Sequence, residues 1–277
     1  MPNHPRSPVA DAYADRSACG MAAPTPAEND ALTADHLLGG RVSYRQPRDG
    51  FRAAIDPVLL AAAVPARPGQ RVLEGGTGAG AALLCLAARV PGISGLGIDR
   101  EAGLLRIARA NAAVNRWPDL NFAAADLSAS PIGPASGGGV FDHAFANPPY
   151  HDPEGTRSPH NARETAKRDA PGQLRIWVEA LARPLRHRGT LTIILPPRLL
   201  EPALVSMREA KVPAECVFPI WPKQGQKAKL LLISGRKHGR SPLVLAPGLI
   251  LHTASGTFRP EAEAVLRDGA ALTLTGL

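Results

Sequence analysis

Asn147-Pro148-Pro149-Tyr150 sets two carbonyl-type acceptors and a flat ring directly after a short apolar run. Val140, Phe141, Ala144 and Phe145 make that run a strand, bounded by Gly139 and Pro148. Two successive prolines then end any hydrogen-bonded ladder, since neither has an N–H to donate. Their carbonyls remain. The Asn147 side-chain oxygen and the Pro148 carbonyl can both accept from one –NH₂ group, and Tyr150 can stack on the ring that carries it. Such a group could be an adenine N6 amine or a glutamine amide. An ordinary turn would use the same residue types, so the reading depends on what surrounds them.

An amine conjugated to a ring is a poor nucleophile because its lone pair is delocalised. Attack on an electrophilic methyl makes the nitrogen pyramidal and partly positive. Acceptors on its two hydrogens then stabilise the transition state more than the ground state, which is the condition for acceleration. No strong base is required, because the methylated ammonium is acidic and loses its proton afterwards.

Upstream, Arg71-Val72-Leu73-Glu74 runs into Gly75-Gly76-Thr77-Gly78-Ala79-Gly80 and then an apolar helix from Ala81 to Val90, stopped by Pro91-Gly92. Glycines allow close backbone approach to a ligand, and a helix N-terminus is electropositive. Gly76, Gly78 and Ala81 also satisfy the dinucleotide fingerprint, with Asp99 at a suitable distance, so a nicotinamide cofactor is the competing reading. Three carboxylates favour S-adenosylmethionine instead. Glu74 before the glycines would repel a pyrophosphate but suits an amino-acid ammonium. Asp99 ends a second strand, where it can accept ribose hydroxyls. Asp126 ends a third, where it can accept from an adenine amino group. Taken singly, Asp99 and Asp126 are ordinary helix caps or turns. In order with Asn147, at the ends of four successive strands, they suit that cofactor beside an amine acceptor.

With these residues the chain resembles class I S-adenosylmethionine-dependent methyltransferases of the N-P-P-Y group. More narrowly it resembles the bacterial tRNA(Val) adenine-N6 methyltransferases. The narrower likeness rests on Gln46-Pro47-Arg48-Asp49-Gly50-Phe51-Arg52 leading to Asp56-Pro57, on Pro222-Lys223-x-Gly225 before Ala228-Lys229-Leu230, and on Leu251-His252 through Gly256, Phe258 and Pro260-Glu261-Ala262. It spans roughly residues 36 to 268. The resemblance implies that Gln46 and Arg52 cover the cofactor, that S-adenosylmethionine is bound, and that the substrate is an adenine beside the tRNA anticodon. One departure is Glu74-Gly75-Gly76, where the group has Asp-Leu-Gly.

Alternation of strands and helices from Arg71 onward predicts a doubly wound α/β fold: a mostly parallel seven-stranded sheet with helices on both faces. The last two strands, near 216–220 and 230–233, are too close for a crossover helix and are expected to pair antiparallel. Asp56-Pro57 predicts a helix N-cap with proline at the first position. Residues 1–30 are Pro/Ala-rich and expected to be disordered, residues 31–70 to cover the cofactor site, and residues 71–277 to form the methyltransferase domain. Cys19, Cys85 and Cys216 form no C-x-x-C, the histidines show no ligand spacing, and no transmembrane run occurs, so a reduced, metal-free cytoplasmic protein is expected. The loop 151–170, with balanced charges, is read as a lid or a spacer.

The formal net charge of +8 is unevenly placed. Between Lys211 and Arg240 there are seven Lys/Arg against Glu215 alone. Lys223, Lys227 and Lys229, at the head of this cluster, are candidate contacts to an RNA backbone. A release-factor glutamine, rRNA, DNA and a non-catalytic RNA-binding role are the alternatives. The chain lacks room for the extra bundle, duplicate domain or recognition insertion that the resembling enzymes for the first three carry.

Overall fold

The computed structural model of the protein describes residues 31–48, 54–128, 140–149 and 172–274. The expectations for residues 1–30, Arg52, Tyr150 and the 151–170 loop therefore lie outside the described residues. The described residues begin with an antiparallel hairpin, β1 (Leu32–Leu37) and β2 (Val42–Pro47). Helix α1 (Asp56–Ala63) follows. Its N-cap is Ile55 rather than Asp56, Asp56 is its first residue, and no cap side chain bonds to it. That corrects the expected cap by one position.

The alternation then runs β3 (Arg71–Gly75), α2 (Ala81–Arg89), β4 (Ser94–Asp99), α3 (Ala102–Val114), β5 (Leu120–Ala124) and β6 (Phe141–Ala146). After it come α4 (Gln173–Ala182), β7 (Leu185–Leu195), α5 (Leu200–Glu209), β8 (Ala214–Lys223) and β9 (Leu230–Arg236). The chain closes with two short strands, β10 (Val244–Leu245) and β11 (Leu249–His252), and helix α6 (Pro260–Leu266).

The sheet order is β10-β8-β9-β7-β6-β3-β4-β5, with β11 also on β8. β5, β4, β3, β6 and β7 are mutually parallel, and β9 runs antiparallel to both β7 and β8. The seven expected strands are β3 to β9. The sheet has nine because β10 and β11 add to the outer edge of β8, both parallel to it. Too short and irregular to carry a period-2 pattern, they left no signal in the sequence.

The strands are apolar on both faces, as a sheet sandwiched between helices requires. Val72, Phe145, Ile194 and Leu232 join the core beneath α1, α2 and α3. Their neighbours Leu73, Ala144, Ile193 and Ile233 join the core beneath α4 and α5. Alternate residues thus feed two separate cores, which pins the register: a slip of one residue would exchange every partner. The parallel register sets Gly75 opposite both Ala146 and Ile98, and Asp99 opposite Ala124. The C-terminal ends of β3, β4, β5 and β6 therefore share one rim.

Candidate active site

The rim holds a strand-to-helix turn of unusual backbone geometry. Gly76, Gly78 and Gly80 have φ of 67°, 55° and 90°, the left-handed region that glycine enters without a Cβ penalty. A Cβ on Gly76 would lie 2.6 Å from the Trp177 ring, so a second constraint acts there. A Cβ on Gly78 would meet nothing within 4 Å, so the backbone at Gly78 is open to approach by a ligand. Thr77 N donates to Ile98 O and Gly78 N to Asp99 Oδ2 (2.8 Å), fastening the turn to the end of β4.

Glu74 is buried, 4% exposed. Its Oε2 accepts from the Thr77 hydroxyl and from Leu83 N (3.2 Å). Leu83 is the third residue of α2, so Glu74 reaches back from the strand to cap the helix that follows the glycines. Burial pushes its pKa up to about 8, against the opposing pull of the Thr77 and Leu83 hydrogen bonds and with a further rise from the Asp99 charge. Near neutral pH it is therefore largely protonated. Asp99 is half-buried, with Oδ1 accepting from Glu101 N and Oδ2 from Gly78 N. Each oxygen keeps one lone pair, the acceptor pair that two ribose hydroxyls need.

Asn147 follows β6 directly, so it sits one strand spacing, about 5 Å, from the Gly75–Gly76 step. Asn147 is half-buried, Pro148 buried and Pro149 half-buried. Asp126 lies two residues past the end of β5 in an exposed turn, with Oδ1 accepting from Ser128 N (2.8 Å). The strand expected to reach it stops at Ala124, the partner of Asp99, and Ala125 N makes the last ladder bond by donating to Asp99 O. Gln46 is 4% exposed and donates through Nε2 to Asp35 Oδ2 (2.8 Å) inside the hairpin.

Two residues that the sequence reading missed tie the hairpin to the site. Asn111 Oδ1 accepts from Arg45 N, while its Nδ2 donates to Arg45 O and to Ala79 O of the glycine turn (2.9, 2.9 and 3.0 Å). Asn115 repeats the pattern on Ser43 N and O. Residues 43 and 45 are one pleat apart and 111 and 115 one helical turn apart, so the two repeats match. An Asn pair at i, i+4 on a helix face that buries Leu105, Ala108 and Ala112 was the available signal. Trp177 was also missed, and its position is legible only once α4 is folded against β3.

The basic cluster does not stay together. Lys223, Lys227 and Lys229 lie around the β8–β9 turn, whose strands meet at Ile220 and Leu230 on the same rim as Asn147. That turn is two to three strand spacings from Asn147, about 10–15 Å. Lys223 Nζ donates to Ala254 O. Lys211, Arg236, Lys237 and Arg240 are at the opposite end of the same strands, a displacement of about 20 Å. Reading the run as one patch is thereby corrected: a hairpin carries its two halves to opposite ends. Among the described residues no group of three or more His, Cys, Asp or Glu is placed to hold a metal. Among them, too, no helix is long and apolar enough to cross a membrane.

A parallel sheet of this order, with an antiparallel strand inserted at β9 and a glycine turn after its central strand, is the fold of class I S-adenosylmethionine-dependent methyltransferases. A predicted O-methyltransferase from Agrobacterium tumefaciens has this fold with a TM-score of 0.63 and 23% identity, covering 78% of this chain and 98% of that one. No family model matches the chain. By sequence it is similar to the tRNA1(Val) (adenine(37)-N6)-methyltransferase of Aeromonas hydrophila, 26% identical over 76% of this chain and 86% of that protein. The same-named protein of Porphyromonas gingivalis is 27% identical over 80% and 89%. A shorter likeness, 43% over 83 residues, is to the release factor glutamine methyltransferase of Rhodospirillum rubrum, covering 30% of this chain and 24% of that protein.

Proposed function

We propose that the protein transfers a methyl group from S-adenosylmethionine to the exocyclic N6 of an adenine in tRNA. The observation that carries the reading is the parallel register, which brings Asn147-Pro148 beside the glycine turn and Asp99 on one rim. The residues fit the cofactor: the open backbone at Gly78 and the unused lone pairs of Asp99 are the surfaces a nucleoside needs. Glu74, Gly76, Gly78, Gly80, Asp99 and Asp126 would hold it, with Gln46 and Arg52 covering it from residues 31–70 and Asn147 adjoining. Bound there, the cofactor supplies an electrophilic methyl.

Asn147 and the Pro148 carbonyl orient the adenine amine by accepting its two hydrogens, and they favour the partly positive nitrogen that forms as it attacks. The proton leaves to solvent afterwards. Pro149 stiffens the turn that aims these acceptors. Tyr150 would stack on the base, replacing part of the stacking lost when it leaves the RNA, about 1–3 kcal/mol. Lys223, Lys227 and Lys229 would meet backbone phosphates on the same side. The long-range likeness to tRNA adenine methyltransferases supports tRNA as the substrate, and the local likeness to a glutamine methyltransferase favours protein glutamine as the second reading.

The test is methyl transfer to unmodified tRNA, with mass spectrometry of the digested nucleosides, beside a release-factor substrate. Wild type is expected to yield N6-methyladenosine. Asn147→Ala is expected to lower turnover at least about 100-fold while S-adenosylhomocysteine still binds. Unchanged turnover would remove Asn147 from the chemistry, and labelled release factor with unlabelled RNA would replace the substrate.

A further inference from the structure

The end of the sheet opposite the clamp gathers a second set of cations. Arg183, Arg186, Arg188, Lys211 and Arg240 are all exposed there, with Arg236 half-buried behind them. They come from three separate connections: the start of β7, the α5–β8 turn and the end of β9. Two of the nearby acids are already engaged. Asp142 holds Arg186 at 2.8 Å and Glu215 holds Arg236 at 3.1 Å. Glu209, at the close of α5, is the third.

These turns are locked to one another. His238 N donates to Lys211 O (2.7 Å), Lys237 N to Gly189 O (2.8 Å) and Arg188 N to Lys237 O (3.2 Å). Lys237 Nζ anchors the group by donating to the last carbonyls of α4, Ala182 O and Arg183 O, and to Leu185 O. Arg188, Lys211 and His238 have φ of 65°, 61° and 55°, three of the five left-handed non-glycine residues among those described. Each accepts a conformation that glycine would adopt more easily. Lys211 takes it as the residue that stops α5, with Val212 N donating to Met207 O (2.9 Å), so the three conformations fix where these side chains leave the surface.

We propose that this far end is a second docking surface for an RNA phosphodiester backbone, separate from Lys223, Lys227 and Lys229 beside the clamp. It rests on the RNA reading above for its partner's class. Fixed cations on three neighbouring turns suit a chain of phosphates, and the surface would hold a second segment of a folded RNA while the rim engages the target base. Exposed Leu243, Val244 and Leu245 lie on the adjoining edge, so an anionic membrane is the competing occupant to exclude.

The experiment titrates fluorescein-labelled unfractionated tRNA by anisotropy at several salt concentrations. It compares wild type with an Arg188→Gly, Lys211→Gly, Arg240→Ala variant. The two glycines relieve left-handed backbone, so folding is preserved while charge is removed. A second variant, Lys227→Ala with Lys229→Ala, reports on the rim. The far-end variant is expected to bind at least about tenfold more weakly at low salt. Its log–log salt slope should fall by about 0.7–0.9 for each phosphate that no longer meets a cation, with the thermal shift from S-adenosylhomocysteine unchanged. A wild-type salt slope in that variant overturns the proposal. So does binding to phosphatidylserine vesicles that disappears in the variant while tRNA binding is kept. If tRNA binds through the far end yet is never methylated, the substrate reading fails and this one stands.

Discussion

Glu74 and His143 place opposite demands on pH. Glu74 sits at the clamp end with its pKa raised to about 8 by burial. His143 is buried between strands, its Nδ1 against Thr190 Oγ1 (2.7 Å) and its Nε2 against Gln70 Oε1 (3.0 Å). An amide oxygen can only accept, so Nε2 carries the proton and Nδ1 accepts from the threonine. Burial lowers the His143 pKa to about 4, outweighing the opposing pull of Asp142. For Glu74 the folded chain keeps a proton that the unfolded chain releases above 4.5, so stability falls as pH rises from 4.5 to 8. For His143 the unfolded chain takes up a proton below 6.5 that the folded chain refuses, so stability falls as pH drops from 6.5 to 4. Each slope is on the order of 1.4 kcal/mol per pH unit. Between 4.5 and 6.5 they oppose one another, and the expected result is a plateau there with a decline on the alkaline side. Denaturant titrations of wild type and Glu74→Gln check it: the variant should lose the alkaline decline up to pH 8. A decline that persists would mean Glu74 is ionised in the free protein.

At the scale of elements, the hairpin β1–β2 depends on side-chain amides for its place. It is not part of the main sheet, and the inner edge of β2 would leave the N–H and C=O groups of Ser43 and Arg45 unpaired if Asn115 and Asn111 did not take them. Asn111→Ala removes the side chain that serves the N–H and C=O of Arg45 and the link to Ala79, at a cost of about 2–3 kcal/mol. Amide exchange over 42–47 should then accelerate, and S-adenosylhomocysteine should bind more weakly. Met207→Ala, in the other core, is the control that loses stability without touching the hairpin. Equal exchange in the two variants would count against the hairpin's dependence on Asn111. The contrast also shows what the sequence can express. Strands β3 to β9 announced themselves because burial on both faces leaves continuous apolar runs, and their order follows from alternation with helices. The asparagine contacts join residues 66 and 72 apart, and no local pattern encodes such a pairing. The split of the basic run was hidden for the same reason, since a charge count is blind to the reversal of chain direction at Gly225.

For the molecule as a whole, the choice between the two glycine-turn cofactors comes down to who occupies the N-terminus of α2. A dinucleotide lays its pyrophosphate on the first helical amides. Here Leu83 N, one of those amides, already donates to Glu74, which is held in place by Thr77 and walled in by the surrounding core. Seating a pyrophosphate on Leu83 N would displace that carboxyl, whereas a nucleoside held by Asp99 and the open Gly78 backbone leaves the bond intact. Fold alone could not have decided this, because doubly wound sheets bind both kinds of ligand at the same rim. S-adenosylhomocysteine at about a hundredfold excess over its dissociation constant should add about 2.7 kcal/mol of stability. For a chain of this size that raises Tm by about 5–10 °C. NAD at the same concentration should leave Tm within error. Stabilisation by NAD, or by neither ligand, would show that Glu74 does not exclude the pyrophosphate and would return the glycine turn to the oxidoreductase reading.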